Sequence, residues 1–355
     1  MAPFTIDLRS DTVTRPTPEM RRAMGDAEVG DDGYHEDPTV NQLEERTAEI
    51  FARESALFVA SGTMGNQAAI HVHVRPGQEV ICETRAHVFN SEMAMMATFS
   101  ACLARTAWIE GGVLAWKHIE PLLRHPAENR AATGLIVLEN TANLAGGAVC
   151  SQEIADEVCE RAHAVGVPVH LDGARVFNAC AVLGRTPAEL TSKFDSVMFC
   201  LSKGLGAPVG SMLVGSKEFI QEARQVRKML GGGLRQAGVL AAAGLVALDE
   251  GPRNIPRDHE NARFLADELT DVAGIRIDPS TVVTNIVVFE VVAVGVDAFE
   301  VSRRLACLGV LVNPRSHTTI RLVTHRDVDL AGCERAVDAL RQVLAPSRDA
   351  ARPPS

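Results

Sequence analysis

The sequence has little that would suit nucleic acid or a membrane. Its 355 residues carry a formal net charge of −10, and no cluster of Lys and Arg reaches the density of a basic patch. No stretch approaches the ~20 apolar residues of a membrane span, and the N-terminus lacks a basic segment followed by an apolar run. We therefore expect no nucleic-acid partner, no membrane partner and a cytoplasmic location.

Paired cysteines and two nucleotide-binding motifs are also missing. The eight cysteines form no CxxC pair and lie mostly in apolar surroundings, which predicts reduced core residues and no metal site. No GxGxxG follows the first predicted strand, and "GLGAPVGS" lacks the GK[ST] of a P-loop. A nicotinamide-binding Rossmann domain and a P-loop enzyme are therefore disfavoured.

The chain does contain a regular alternation of short apolar runs and amphipathic segments. This order predicts an α/β fold: a mostly parallel central sheet flanked by helices, followed by a smaller α+β domain. We expect an N-terminal arm at 1–15, a large domain at 16–252, a small C-terminal domain at 253–345 and a disordered tail at 346–355. The predicted strands are "EVICET", "ACLARTAW", "TGLIVLEN", "VPVHLDG", "FDSVMFCLS" and "GSMLVG".

Three local details can be predicted in the same way. The two prolines of "TRPTPEM" indicate a helix that begins near Pro18. The segment "PTVNQLEERTAEIFA" has the apolar spacing of an amphipathic helix, with Thr39 as a candidate N-cap. The prolines of "PRNIPRD" predict a break between two helices at the domain boundary.

Polar residues that could bind or react with a ligand follow three of the predicted strands. Asp172 comes directly after the apolar part of "VHLDG", and Ser202 and Lys203 follow the next core strand. "FVASGT" places Ser61, Gly62 and Thr63 at a turn from strand to helix. Because ligands of open α/β sheets bind beyond the carboxyl ends of the strands, we expect these residues at one site.

Together these residues match the needs of pyridoxal 5'-phosphate. The Ser61–Thr63 helix start suits its phosphate, Asp172 suits the protonated ring nitrogen, and a desolvated Lys203 suits Schiff-base formation. Ser202 is assigned to the same cofactor site. Taken singly, each has a structural alternative: Lys203 as a surface lysine on a turn, Asp172 as a loop cap, and Ser61 as an ordinary N-cap.

The ordered motifs resemble the low-specificity L-threonine aldolase family, pyridoxal-phosphate enzymes of the aspartate-aminotransferase-like fold type I. The resemblance covers nearly the whole chain and rests on "DLRSDTVTRPTPEM", "VGDDGYHEDPTVNQLE", "ALFVASGTMGNQ", "LENTANLAGG", "VHLDGARVFNA", "CLSKGLGAPVGS", "RKMLGGGLRQAG" and "RLVTHRDV". It implies that Lys203 forms the Schiff base, that Asp172 pairs with the ring nitrogen and that His87 stacks on the ring. Without the resemblance, His87 would be interpreted as a core or turn histidine.

The resemblance also implies substrate and subunit contacts. Ser10, Arg175 and Arg321 match residues that hold the substrate carboxylate, a task suited to a bidentate guanidinium. Arg175 is assigned to the cofactor as well. Tyr34 and Arg235 match parts that reach across a subunit interface, Tyr34 towards substrate and Arg235 towards cofactor. The implied assembly is a homotetramer, a dimer of dimers with shared active sites.

The implied reaction is retro-aldol cleavage of L-threonine, L-allo-threonine or a bulkier β-hydroxy-α-amino acid to glycine and an aldehyde. The sequence departs from the family at Ala142, where a histidine is usual, so the size of the substrate and its threo or erythro preference stay open. Gly33 and His35 also differ from the expected residues. Alternatives are β-elimination, racemisation or aldol transfer on the same cofactor, or a ligand-binding homologue without catalysis.

Overall fold

The computed structural model describes residues 5–345, so the predicted tail at 346–355 lies outside the described residues. The chain forms two compact units. One runs from Thr14 to Ile255, and the other joins residues 5–13 with residues 256–345. No helix among residues 5–345 is both long and apolar enough to cross a bilayer.

The strands of the described chain fall into three sheets. Their bounds are β1 (Ile6–Asp7), β2 (Ser55–Val59), β3 (Glu79–Glu83), β4 (Leu103–Ala107), β5 (Thr133–Glu139), β6 (Val169–Asp172), β7 (Ser196–Cys200), β8 (Ser211–Gly215), β9 (Ile275–Arg276), β10 (Ile286–Val291), β11 (Val310–Leu311), β12 (Asn313–Pro314) and β13 (Thr319–Val323).

The helices occupy most of the intervening segments. Their bounds are α1 (Pro18–Asp26), α2 (Pro38–Phe51), α3 (Gly62–His73), α4 (His87–Asn90), α5 (Met95–Thr98), α6 (Trp116–Ile119), α7 (Gln152–Ala164), α8 (Val176–Leu183), α9 (Pro187–Thr191), α10 (Lys217–Met229), α11 (Gly238–Leu269), α12 (Ala298–Cys307) and α13 (Leu330–Leu344).

The larger unit contains a seven-stranded sheet in the order β2-β8-β7-β6-β5-β3-β4. β8 is antiparallel to both of its neighbours, and the remaining pairs are parallel. This confirms the predicted α/β class with a mostly parallel sheet. The central strands are covered on both faces: in β7, Val197 and Phe199 pack into one core cluster, whereas Met198 and Cys200 pack into another.

The smaller unit contains the antiparallel sheet β12-β13-β10-β9 and the parallel pair of β1 with β11. Its own core is built from side chains such as Phe289, Leu305, Ile320 and Leu340. The N-terminal segment is part of this unit, since Leu8 donates its N–H to Leu311 O at 2.8 Å and accepts from Val323 N at 2.9 Å.

Two local predictions are wrong and one is confirmed. Helix α1 begins at Pro18 as expected. Helix α2 is capped by Asp37, whose Oδ1 accepts from Val40 N at 3.0 Å, rather than by Thr39. The expected break at "PRNIPRD" is absent, because α11 continues as one 32-residue helix through Pro252 and Pro256. Burial of its apolar side chains outweighs the hydrogen bonds that the prolines remove.

Candidate active site

The carboxyl ends of β5, β6 and β7 bring three polar residues to one edge of the sheet. Glu139 and Asp172 are register partners at the ends of β5 and β6, and Asp172 faces Met198 in β7. Lys203 is the third residue after the end of β7. The apolar strands fix this edge, so the polar residues that end them are presented together.

The loop that carries Lys203 is held tightly against its surroundings. Leu201 and Ser202 both donate their N–H to Gly210 O, at 3.0 and 3.2 Å, and Gly206 N donates to Lys203 O at 2.8 Å. A Cβ on Gly251 of α11 would lie 2.7 Å from Leu205 Cα, so this glycine lets the helix approach the loop closely. Ser202 and Lys203 are themselves partly buried.

Ser61, Gly62 and Thr63 form the start of α3, as predicted. Ser61 is the N-cap, and its Oγ accepts from Met64 N at 3.2 Å. The N–H groups of the first turn have no acceptor within the helix. They can therefore donate to an anion, which the positive end of the helix dipole also attracts. A Cβ on Gly62 would lie 2.9 Å from Cys200 Sγ, so the helix start packs against the end of β7.

Asp172 is held in one orientation by two donors. Only 1% of the residue is exposed. Oδ1 accepts from Ala174 N at 3.1 Å and Oδ2 accepts from Asn66 Nδ2 at 2.8 Å. Asn66 Nδ2 also donates to Glu92 Oε1 at 2.8 Å, and Gln67 Nε2 donates to Glu92 Oε2 at 2.6 Å. Asp172 and Glu92 are therefore joined through one amide.

His87 lies in α4 and is paired with Glu92. Its Nδ1 is 2.6 Å from Glu92 Oε1, and Glu92 is fully buried. The hydrogen bond with Glu92, together with the charge of Asp172, raises the pKa of His87, although desolvation and the charge of Lys203 oppose the shift. The ligand atoms of His87, Glu92 and Asp172 lie within 4.8 Å of one another, but amide donors already bind the two carboxylates.

Glu139 is a further charged residue of the site. Its Oε2 accepts from His87 N at 2.8 Å and its Oε1 accepts from Asn143 N at 2.7 Å, so it ties together two loops. Loss of hydration, followed by the charge of Asp172, raises the pKa of Glu139 to about 7. The position of Glu139 at the end of an apolar strand is the signal that could have identified it from the sequence.

Arg175, Tyr34 and Arg235 lie in the same unit. Arg175 is 5% exposed, and its Nη1 donates to Asn143 Oδ1 at 3.2 Å. Tyr34 is 76% exposed. It shares with Arg235 the lining of an open cavity of about 700 Å³, together with charged residues such as Asp31 and Lys228.

Ser10 and Arg321 belong to the smaller unit. Ser10 Oγ accepts from Thr12 N at 3.2 Å. Arg321 lies in β13 and is 7% exposed, and its Nη2 donates to Arg9 O at 3.5 Å. Arg321 is thus a buried residue beside the N-terminal segment, not a solvated arginine at a strand end.

Ala142 is buried, and its N–H donates to Ala148 O at 2.9 Å. Together with Gly112, Glu139 and Ala145 it lines a cavity of about 20 Å³, enough for about one water molecule. The methyl side chain of Ala142 offers no proton donor or acceptor at this position.

The residues present fit pyridoxal phosphate. The buried carboxylate of Asp172 ends one strand, and Lys203 follows the end of the next strand. The 12-residue helix α3 begins at Gly62, and its N-terminus offers a site for the phosphate. This arrangement on a mostly parallel sheet defines the pyridoxal-phosphate enzymes of fold type I.

Comparisons with known proteins agree with that class. The profile of the family described as "Beta-eliminating lyase" matches residues 7–292. Low-specificity L-threonine aldolase 1 of Arabidopsis thaliana is 41% identical over 98% of this chain and 99% of its own length. The low specificity L-threonine aldolase of Escherichia coli strain K12 is 38% identical over 91% of this chain and 94% of its own.

A solved structure described as a putative L-allo-threonine aldolase of Listeria monocytogenes has a TM-score of 0.80 at 20% identity, covering 96% of both chains. The chain therefore belongs to the low-specificity L-threonine aldolase family, among the beta-eliminating lyases. It is a carbon–carbon lyase, and its cofactor is pyridoxal phosphate.

Proposed function

We propose that the protein cleaves L-threonine, L-allo-threonine and related β-hydroxy-α-amino acids to glycine and an aldehyde by a retro-aldol reaction. The observation that carries the proposal is the arrangement of Asp172 and Lys203 after the adjacent strands β6 and β7, next to the helix start at Ser61. The family relationship supports the same conclusion.

Each cofactor-facing residue has a role that its chemistry supports. Bound pyridoxal phosphate supplies an electron sink for the bond that breaks. Lys203 provides the amine that attaches it, and Asp172 keeps a proton on its ring nitrogen. His87 covers the ring face. The helix start at Ser61, Gly62 and Thr63, with Ser202 nearby, holds the phosphate.

The substrate carboxylate is assigned to Arg175, whose buried guanidinium suits a bidentate grip. Ser10 and Arg321 remain predicted contacts of the substrate, on the basis of the family resemblance. Tyr34 and Arg235 are proposed to serve a neighbouring subunit of a homotetramer, and their positions on an open, charged cavity support this role. The eight free cysteines, seven of them buried, support a reducing, cytoplasmic location.

Proton transfer from the substrate hydroxyl is assigned to His87. Because its Nδ1 is bonded to Glu92, the proton on Nδ1 points at the carboxylate and Nε2 is left as the acceptor. The negative charge of Glu92 stabilises the cation that forms when Nε2 takes the proton. Ala142 has no group for this task.

The test is to incubate purified enzyme with L-threonine, L-allo-threonine and phenylserine and to quantify glycine and aldehyde. The proposal expects both products in equal amounts, and expects Lys203→Ala to lose turnover and the yellow colour of the bound cofactor. Borohydride reduction should leave a cofactor adduct on the peptide that contains Lys203. An unmodified peptide or an active Lys203→Ala variant would overturn the assignment.

The match to the beta-eliminating lyase profile favours one second candidate, β-elimination. That reaction releases ammonia and an oxo acid instead of glycine and an aldehyde. The same incubations distinguish the two reactions, because the products share no compound.

A further inference from the structure

A row of hydrogen bonds runs from the surface side of α3 to Asp172. His73 Nε2 lies 2.8 Å from Ser196 Oγ, and Ser196 Oγ lies 2.8 Å from His170 Nδ1. His170 Nε2 lies 3.1 Å from Asn66 Oδ1, and Asn66 Nδ2 lies 2.8 Å from Asp172 Oδ2. All members except His73 are buried.

The sequence periodicity explains why these side chains meet. Asn66 and His73 are seven residues apart on α3, so they lie on one face of the helix two turns apart. His170 and Ser196 are register partners in β6 and β7. One helix face therefore lies over one strand pair, and the four polar side chains meet between them.

The direction of every hydrogen bond in the row follows from its carboxylate end. Asn66 must present its NH₂ group to Asp172, so its Oδ1 accepts from the Nε2–H of His170. The Nδ1 of His170 then has no proton and accepts from the Ser196 hydroxyl. The Ser196 oxygen accepts in turn from the Nε2–H of His73. His170 and Ser196 each use one donor and one acceptor, whereas Asn66 uses its oxygen and both amide hydrogens.

Both histidines in the row stay neutral. Burial lowers the pKa of His170 to about 3, with a contribution from His73. Burial also lowers the pKa of His73 to about 4, against the charge of Asp195. The row therefore holds no cation near neutral pH, and its hydrogen-bond direction does not change there.

Asn66 is the branch point of the row. One hydrogen of its amide goes to Asp172 Oδ2 and the other to Glu92 Oε1, and Glu92 holds His87. We propose that Asn66 and His170 are positioning residues: His170 fixes the amide of Asn66, and that amide holds Asp172 and Glu92 at the geometry used by the cofactor and by His87. This inference rests on the proposed function, which assigns Asp172 to the cofactor ring.

The test compares three substitutions in the full-length enzyme. His170→Phe removes the donor to Asn66, His170→Gln keeps an N–H that reaches Oδ1, and Ser196→Ala removes only the hydroxyl behind His170. The matched control is His71→Phe. His71 lies on the same helix, is 3.3 Å from Ser100 Oγ and packs against the tilted ring of Phe99, but is not part of the row.

For His170→Phe we expect pyridoxal phosphate to dissociate about tenfold to a hundredfold more readily, as for loss of a hydrogen bond to a charged group. We also expect kcat to fall by a similar factor with KM for threonine within about twofold. His170→Gln should recover most of both losses, and Ser196→Ala should show a smaller change in the same direction. His71→Phe should match the wild type.

Two kinds of failure are distinguishable. A wild-type enzyme that binds no pyridoxal phosphate or releases no glycine contradicts the proposed function. A normal wild type, with His170→Phe and Ser196→Ala both indistinguishable from His71→Phe, overturns the positioning role alone. Should His170→Phe fail to fold, Ser196→Ala decides: an unchanged cofactor dissociation constant overturns the inference, and a weakened one supports it.

Discussion

His87 Nδ1 lies 2.6 Å from Glu92 Oε1, and the Glu92 side chain is completely buried. A carboxylate in this position holds the imidazole ring in one orientation and favours its charged form. The relationship links the cofactor site to the buried amides of Asn66 and Gln67, which bind the same carboxylate.

Replacing Glu92 with Gln should lower the pKa of His87. The amide oxygen can still accept from Nδ1–H, and Gln67 can rotate because its Oε1 has no hydrogen-bond partner among the described residues. The hydrogen bond with Glu92 is the largest cause of the raised pKa, and the charge of Glu92 adds to it. An uncharged amide oxygen is a weaker acceptor than a carboxylate, so both contributions decrease. NMR titration of His87 in both proteins measures the change, and an unaltered pKa would contradict the role of Glu92.

The same pair determines part of the pH dependence of stability. The pKa of His87 is raised from 6.5 on folding, so the stabilisation is fully present below 6.5 and is lost as pH rises through the folded value. Urea unfolding at a series of pH values should show this decline in the wild type. The decline should be weaker in Glu92→Gln.

Glu139 should make a second, separate contribution to the pH dependence of stability. Its pKa rises from 4.5 to about 7 on folding, so the folded protein binds the extra proton between these values, and the free energy of unfolding falls as pH rises through them. Glu139→Gln should flatten this region of the profile. Glu153→Gln is the control, because Glu153 on α7 has a lowered pKa and should leave the slope above pH 4.5 unchanged. A slope equal to that of the wild type in Glu139→Gln would refute the assignment.

Gly251→Ala should disturb the Lys203 loop. The added Cβ would lie 2.7 Å from Leu205 Cα and 2.9 Å from Leu205 O, so helix or loop must shift at a cost of about 1–3 kcal/mol. We expect weaker retention of pyridoxal phosphate as well as lower stability. Gly25→Ala on α1 is the control: its Cβ meets nothing within 4 Å, and it should stabilise by about 0.5 kcal/mol. Equal stability of the two variants would exclude the close contact.

Asp37→Ala should destabilise two helices at once. Its Oδ1 accepts from Val40 N at 3.0 Å in α2, and its Oδ2 accepts from Gly238 N at 2.8 Å at the start of α11. We expect a loss of about 2 kcal/mol or more, against about 1 kcal/mol for Ser151→Ala, which removes the single cap of α7. Thermal unfolding of both variants measures the difference. Similar losses would show that only one of the two caps matters.

The sequence was sufficient for the sheet and for the residues at its strand ends. Buried parallel strands are continuous apolar runs, so the polar residues that end them, such as Asp172 and Lys203, stand out. The N-cap of α2 is Asp37 rather than the predicted Thr39, because Pro38 occupies the first helical position and proline commonly follows the cap. The break at "PRNIPRD" was mispredicted because tertiary packing overrides the local cost of proline.

The supporting residues of the site could not be predicted in the same way. Glu92 lies in a short segment with no helical or strand periodicity, and its partners Asn66 and Gln67 are 26 and 25 residues away in sequence. His170 and Asn66 are 104 residues apart and look like ordinary core positions of a strand and a helix. Their roles depend on pairwise contacts that form only after the sheet and α3 have packed.

The pairing of β1 with β11 determines when the smaller unit can be completed during synthesis. Ile6 N donates to Gly309 O at 2.8 Å, and Leu8 bonds to both Leu311 and Val323. The Ile6–Leu8 segment must therefore wait until synthesis has passed Val323, because its hydrogen-bonding partners are not yet translated. The larger unit, whose seven strands are all made by Gly215, can assemble its sheet in the meantime.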